Sequence, residues 1–118
     1  VTQLQALLAS LALEVPLVMG LAVGLGWARG RTALVRLLLV SLAATLVTHP
    51  FAWSAFQGLA PYLDYWPRAV LIEGLVALTE GLLYARAAGL GAKRGLLLGF
   101  LANAFSYGLG ILIWRLVA

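Results

Sequence analysis

The chain has 118 residues, of which 64% are apolar and 10% charged, with a net charge of +4 and no cysteine. A soluble domain carries roughly a quarter charged residues, so too few remain to cover a water-facing surface, and a bilayer is the solvent that fits. The absence of cysteine excludes disulfides and thiolate chemistry. The basic residues form no face with interleaved aromatics, which excludes nucleic acid as a partner.

A membrane-crossing helix needs about 20 mostly apolar residues. Runs of that length occur at about 4–27, 32–53, 67–88 and 96–117. The expected fold is therefore all-α, a single domain over 1–118 forming a four-helix antiparallel membrane bundle. The first run has no basic segment before it and carries a glutamate in its middle, so it reads as a retained helix and not a signal peptide. The connections at 28–31 and 89–95 are short and basic and rich in glycine. Between them lies an aromatic and proline-rich loop at 54–66. Pro67 suits a first helical turn, where its missing N–H is no loss, and Pro50 is expected to end the second helix.

Orientation follows from the basic residues. Arg29, Arg31, Arg36, Arg86, Lys93 and Arg94 gather at one end, against Arg68 and Arg115 at the other. The positive-inside rule puts loops 28–31 and 89–95 in the cytoplasm and both termini outside. Tyr62, Tyr65, Trp66, Trp53 and Trp114 then form an outer interfacial belt, and Arg68 and Arg86 are expected to snorkel outward.

Each span carries a polar or small stripe at helical spacing. Ser10 and Glu14 lie on the first, and Ser41, Thr45 and Thr48 with His49 on the second. The third has Glu73, Ala77, Glu80 and Tyr84, and the fourth Gly99, Asn103, Ser106 and Gly110. Gly20 and Gly24 form a further small-residue pair, suited to a second copy of the chain. Serine, threonine and glycine at such positions read first as helix-packing groups.

The ionisable residues read differently, because a charge in hydrocarbon costs at least about 2.5–3.5 kcal/mol. All three glutamates fall inside the spans. At a rise of about 1.5 Å per residue, His49 and Glu73 form an outer level, while Glu80 and Asn103 form an inner level with Glu14 near the midplane. Glu73 and Glu80 lie about 10.5 Å apart along their helix, too far to share one metal ion. His49 and Glu73 are the weak metal candidates, and no cofactor is named by the sequence. No arginine within the spans offers a counter-charge, which leaves a neutral carboxyl, a bound cation or a water-filled cavity.

The pathway expected from these residues comprises Glu14, His49, Glu73, Glu80, Tyr84, Asn103 and Ser106, with Gly20, Gly24, Gly99 and Gly110 as helix contacts. Three functions fit. One is binding or conduction of a proton, cation or small ligand, as a homo-oligomer. Another is an accessory subunit of a larger membrane complex. The third, less favoured, is a small enzyme with Glu73 and His49 as an acid–base pair. No catalytic residue is assigned. Loop 89–95 lacks the preceding strand a phosphate-binding loop needs, and a lone histidine cannot hold a haem from both sides within one chain.

The combination of Glu14-Val15-Pro16, Thr48-His49-Pro50 with Trp53, Glu73 and Glu80 followed by Tyr84, and Ala102-Asn103 with Ser106 and Gly110 resembles small bacterial four-helix integral membrane proteins of unassigned function. The resemblance implies a bacterial inner-membrane location and carries no activity.

Overall fold

A computed structural model describes residues 2–117. Among them are four α-helices and no strand: α1 (Gln3–Gly24), α2 (Arg31–Gly58), α3 (Tyr65–Arg86) and α4 (Ala92–Val117). Each packs against the next, and α1 packs against α4, so the helices close a four-sided ring with no contact across its diagonals. The molecule measures 45 × 28 × 20 Å, long enough for a hydrocarbon core about 30 Å thick.

Three of the helices, α1, α2 and α4, are long and apolar enough to cross a membrane. The fourth expected span, α3, has the length at 22 residues but not the apolar density. It holds Glu73 and Glu80, with Arg68 and Arg86 toward its ends. Leucines, valines and phenylalanines dominate the outer surface, among them Leu39, Val47, Val70, Leu75 and Phe105. The polar stripe residues Glu14, Ser41, Thr45, Thr48, Glu80 and Asn103 are buried inside. That inversion of a soluble protein's pattern is what a bilayer demands.

The second helix runs past its expected end. Pro50 takes away the N–H that the carbonyl of Leu46 would accept, yet α2 continues through it to Gly58. One lost bond is tolerated within an otherwise continuous ladder, and Pro16 is tolerated inside α1 in the same way. The aromatic loop consequently shrinks to 59–64, where Leu59 O accepts from Tyr62 N and Leu63 N at 3.0 and 2.9 Å. Pro67 sits in the first turn of α3. At the opposite end both turns reverse through left-handed glycines, including Gly30 (φ 83°) and Gly89 (φ 73°). There Arg36 of α2 reaches across to donate to the carbonyls of Ala87 and Arg86, and so satisfies the exposed C-terminal end of α3. Arg94 lies over the Trp27 ring at 5.8 Å, tying the second basic turn to the first.

The tightest approach is between α3 and α4. A Cβ on Gly99 would stand 2.6 Å from Ala77 O and 2.7 Å from the Gly81 backbone, and one on Gly95 would collide with the backbone of Ala85. Gly20, Gly24 and Gly110 have open space around them, so within the chain they make no such approach. Gly99→Ala should therefore force α3 and α4 apart and destabilise by about 1–3 kcal/mol. Gly108→Ala, also in open space, serves as the control. Thermal unfolding in detergent compares the two, and equal midpoints would show that the helices are not in this contact.

Candidate functional site

Four helices deliver polar groups to one point. Glu14 comes from α1, Thr45 and Thr48 from α2, Glu80 from α3, and Asn103 and Ser106 from α4. Thr45 Oγ1 donates to Glu14 Oε2 at 3.0 Å and lies 3.4 Å from Glu80 Oε2, between the two carboxyl groups. Asn103 Nδ2 donates to Glu80 Oε1 at 2.6 Å and to the carbonyl of Gly99 at 2.8 Å, using both its protons. Ser106 Oγ lies 3.2 Å from Glu14 Oε1. Thr48 Oγ1 donates back to Ala44 O at 2.8 Å and stands 3.4 Å from Glu80 Oε2. Glu14 and Glu80 are 6% and 1% exposed, so these hydrogen bonds replace the water both have lost.

Above this cluster opens a cavity of about 960 Å³. Only one half of each helix lines it: 5–14 of α1, 45–57 of α2, 65–76 of α3 and 103–117 of α4. Glu14, Thr45, Thr48, Asn103 and Ser106 form its floor, and Glu73 and His49 line its wall. Its aromatic surface comes from Trp53, Phe56, Tyr65, Trp66, Tyr107 and Trp114. Arg115 is the only arginine or lysine lining it among the described residues. Glu80 lies behind the floor and does not line the cavity.

The other half of the bundle is shut. Val18, Ala22, Leu37, Tyr84, Leu98 and Ala102 pack there as a buried apolar cluster. Tyr84, expected on the polar pathway, belongs to this cluster at 1% exposure and is absent from the cavity lining. Its ring is the largest fully buried side chain and fills the space between helices below Glu80.

The outer level is looser than the inner one. His49 and Glu73 share the cavity wall, but no hydrogen bond or ion pair joins them among the described residues. His49 stacks on Trp53 with ring centroids 6.4 Å apart, and its Nδ1 is buried without a partner. No three of His, Asp and Glu come together to hold a metal ion among the described residues.

Thr45 and Thr48 read from the sequence as packing groups, but Thr45 donates its hydroxyl to the Glu14 carboxyl group and Thr48 stands 3.4 Å from that of Glu80. Their three-residue spacing put them on the right face, but nothing in it told what they would meet. Trp53, Tyr65, Trp66 and Trp114 of the expected aromatic belt also line the cavity, and the extension of α2 adds Phe56 to them. Tyr65 Oη and Tyr107 Oη meet at 2.6 Å between α3 and α4. Arg68, expected to snorkel outward, turns back instead. Its Nη1 donates to Phe56 O at 2.8 Å and its guanidinium lies 4.2 Å from the Phe56 ring centroid, so the carbonyl and ring of Phe56 near the end of α2 hold it.

Compared with protein-family models, curated proteins and solved structures, the chain matches none. The site therefore has to be read from its own chemistry.

A double-mutant cycle tests the inner cluster. Asn103→Ala and Glu80→Ala, alone and together, should show a coupling of about 1 kcal/mol in unfolding free energy, the scale of a buried hydrogen bond between membrane helices. Strictly additive effects would mean that the 2.6 Å contact contributes nothing.

Proposed function

We propose that this chain is an antiparallel four-span protein of the bacterial inner membrane that binds a proton, a cation or a small cationic ligand taken up from its aromatic end. In this reading α3 crosses the bilayer with the other three helices, its glutamates turned into the ring and its arginines held near its ends. The basic turns lie in the cytoplasm and the aromatic loop outside.

One observation carries the reading: a cavity lined by one half of each helix includes a carboxyl group, Glu14, that no cationic side chain touches among the described residues. Two glutamates and a histidine line the cavity, against the single Arg115. Ser106, which contacts Glu14, stands nine residues before Arg115 on α4, a rise of about 13 Å. A carboxyl group in a low-dielectric site attracts positive charge far more strongly than it would in water. Ionisable groups retained inside a membrane protein mark ion, proton or ligand sites as a rule.

The apolar cluster below the floor favours a binding site over an open pore. Passage to the basic end would require Val18, Leu37, Leu98 and Tyr84 to part. The cavity is lined by one chain, and Gly20 and Gly24 are exposed on α1, free to meet a second copy.

Two measurements test this function. On the purified full chain, Glu14→Gln and Glu73→Gln should weaken cation or proton binding by tenfold or more, about 1.4 kcal/mol of lost interaction. Binding unchanged in both variants would refute the reading. For orientation, the absence of cysteine makes single-cysteine labelling clean. Tyr62→Cys should react with a membrane-impermeant maleimide in intact cells, whereas Lys93→Cys should react only after lysis. The reverse pattern would invert the topology.

A further inference from the structure

We infer that the cavity takes an organic ammonium ion, with Glu14 as its counter-charge and Glu80 as a neutral hydrogen-bonding support behind it. This rests on the reading of the cavity as a cation site and names the class of cation and the residue that pairs with it.

The division of labour between the two glutamates follows from counting hydroxyl protons. A threonine hydroxyl has one proton to give. That of Thr48 goes to Ala44 O, 2.8 Å away, the nearer of its two acceptors. That of Thr45 goes to the nearer carboxyl oxygen, Glu14 Oε2 at 3.0 Å. Glu80 Oε2 therefore faces two hydroxyl oxygens at 3.4 Å, neither of which has a proton left for it. The network closes when Glu80 Oε2 carries a proton and gives it to one of them, while Glu80 Oε1 accepts from Asn103. Glu14 needs no such proton, since Thr45 and Ser106 each have one of its oxygens as their nearest acceptor, the serine hydroxyl lying 3.2 Å from Glu14 Oε1 and 3.3 Å from Asn103 O. Hence the charge resides on the glutamate that faces the cavity, and the glutamate behind the floor is neutral.

Size and wall chemistry identify the cation. A volume of about 960 Å³ is far larger than a dehydrated metal ion needs and is in the range of pockets for organic ligands. Glu73 is available on the wall, but the described residues assemble no third carboxylate or imidazole with it as a metal would require. Between the mouth and Glu14 the wall presents three tryptophans, Trp53, Trp66 and Trp114, together with Tyr65, Tyr107 and Phe56. Aromatic faces attract ammonium groups without demanding hydrogen bonds, and the attraction grows when the cation is desolvated. Rings and a carboxylate together suit a positive charge on an apolar body, which a small inorganic cation lacks.

The test uses benzyltrimethylammonium as the probe on the detergent-solubilised full chain, read by tryptophan fluorescence, since three of the four tryptophans line the cavity. A saturable change is expected with this probe. None is expected with potassium, nor with neopentylbenzene, its neutral carbon isostere. Glu14→Gln should weaken binding by about tenfold or more, whereas Glu80→Gln, which keeps an acceptor toward Asn103 and a donor toward the threonines, should leave it within about threefold. Should Glu14→Gln not fold, Trp53→Leu replaces it and should also weaken the ammonium by about tenfold.

Equal binding of the neutral isostere would overturn the choice of a cation. Equal losses in Glu14→Gln and Glu80→Gln would overturn the assignment of the charge. Absence of ammonium binding, with binding of a proton or an inorganic cation still dependent on Glu14, would overturn this inference and leave the proposed function standing. Absence of both would end both.

Discussion

The hydroxyl of Thr45, set between the carboxyl groups of Glu14 and Glu80, is the point to which the rest of the structure is referred. It lies 3.0 Å from one and 3.4 Å from the other, so α1, α2 and α3 must all come within hydrogen-bonding reach of a single atom. Asn103 and Ser106 extend the requirement to α4. Two buried carboxyl groups without such partners would each carry a desolvation penalty of several kcal/mol. The polar cluster thus dictates the mutual rotation of all four helices, and lipid-facing leucines and valines could not do so, since one apolar side chain against lipid is much like another.

Two different kinds of packing flank this cluster. Toward the basic turns the helices close through small residues, with Gly81, Gly95 and Gly99 letting the α3 and α4 backbones touch and Tyr84 filling the remaining space. Toward the aromatic end the same helices diverge around a cavity. The glycines and the cavity are complementary features of one geometry: close approach on one side of the inner cluster, separation on the other. The floor of the cavity is consequently polar and hydrogen-bonded, while its wall is broad, aromatic and only sparsely hydrogen-bonded.

Charge is distributed to the same plan. Among the described residues, the arginines and lysine of the basic end have no acidic partners, and the carboxyl groups of the interior have no basic ones. Arg36 and Arg68 show where a cation goes when no carboxylate is within reach: each donates to backbone carbonyls at the C-terminal end of a neighbouring helix. Such carbonyls carry a partial negative charge at a helix C-terminus. Among the described residues the glutamates are thereby left without ion pairs.

Composition and spacing alone determined much of this protein. The apolar runs specify long helices, because a backbone in hydrocarbon must satisfy its own hydrogen bonds. Helical periodicity puts Ser41, Thr45 and Thr48 on one face and Glu80 level with Asn103, since rise and turn per residue are fixed by local geometry. Those same rules could not say that Pro50 would be carried through within α2, that Arg68 would fold back onto Phe56, or that Tyr84 would pack among apolar side chains and not along the polar path. Each depends on which helix becomes the neighbour and how far it is rotated, a choice made by contacts between residues distant in the chain. The division of the glutamates is the clearest case. Three acidic residues in apolar runs are visible to any reader of the sequence. Only tertiary structure makes Glu14 the floor of a cavity and Glu80 its concealed support, because the pairing is decided by the position of one threonine hydroxyl on a third helix.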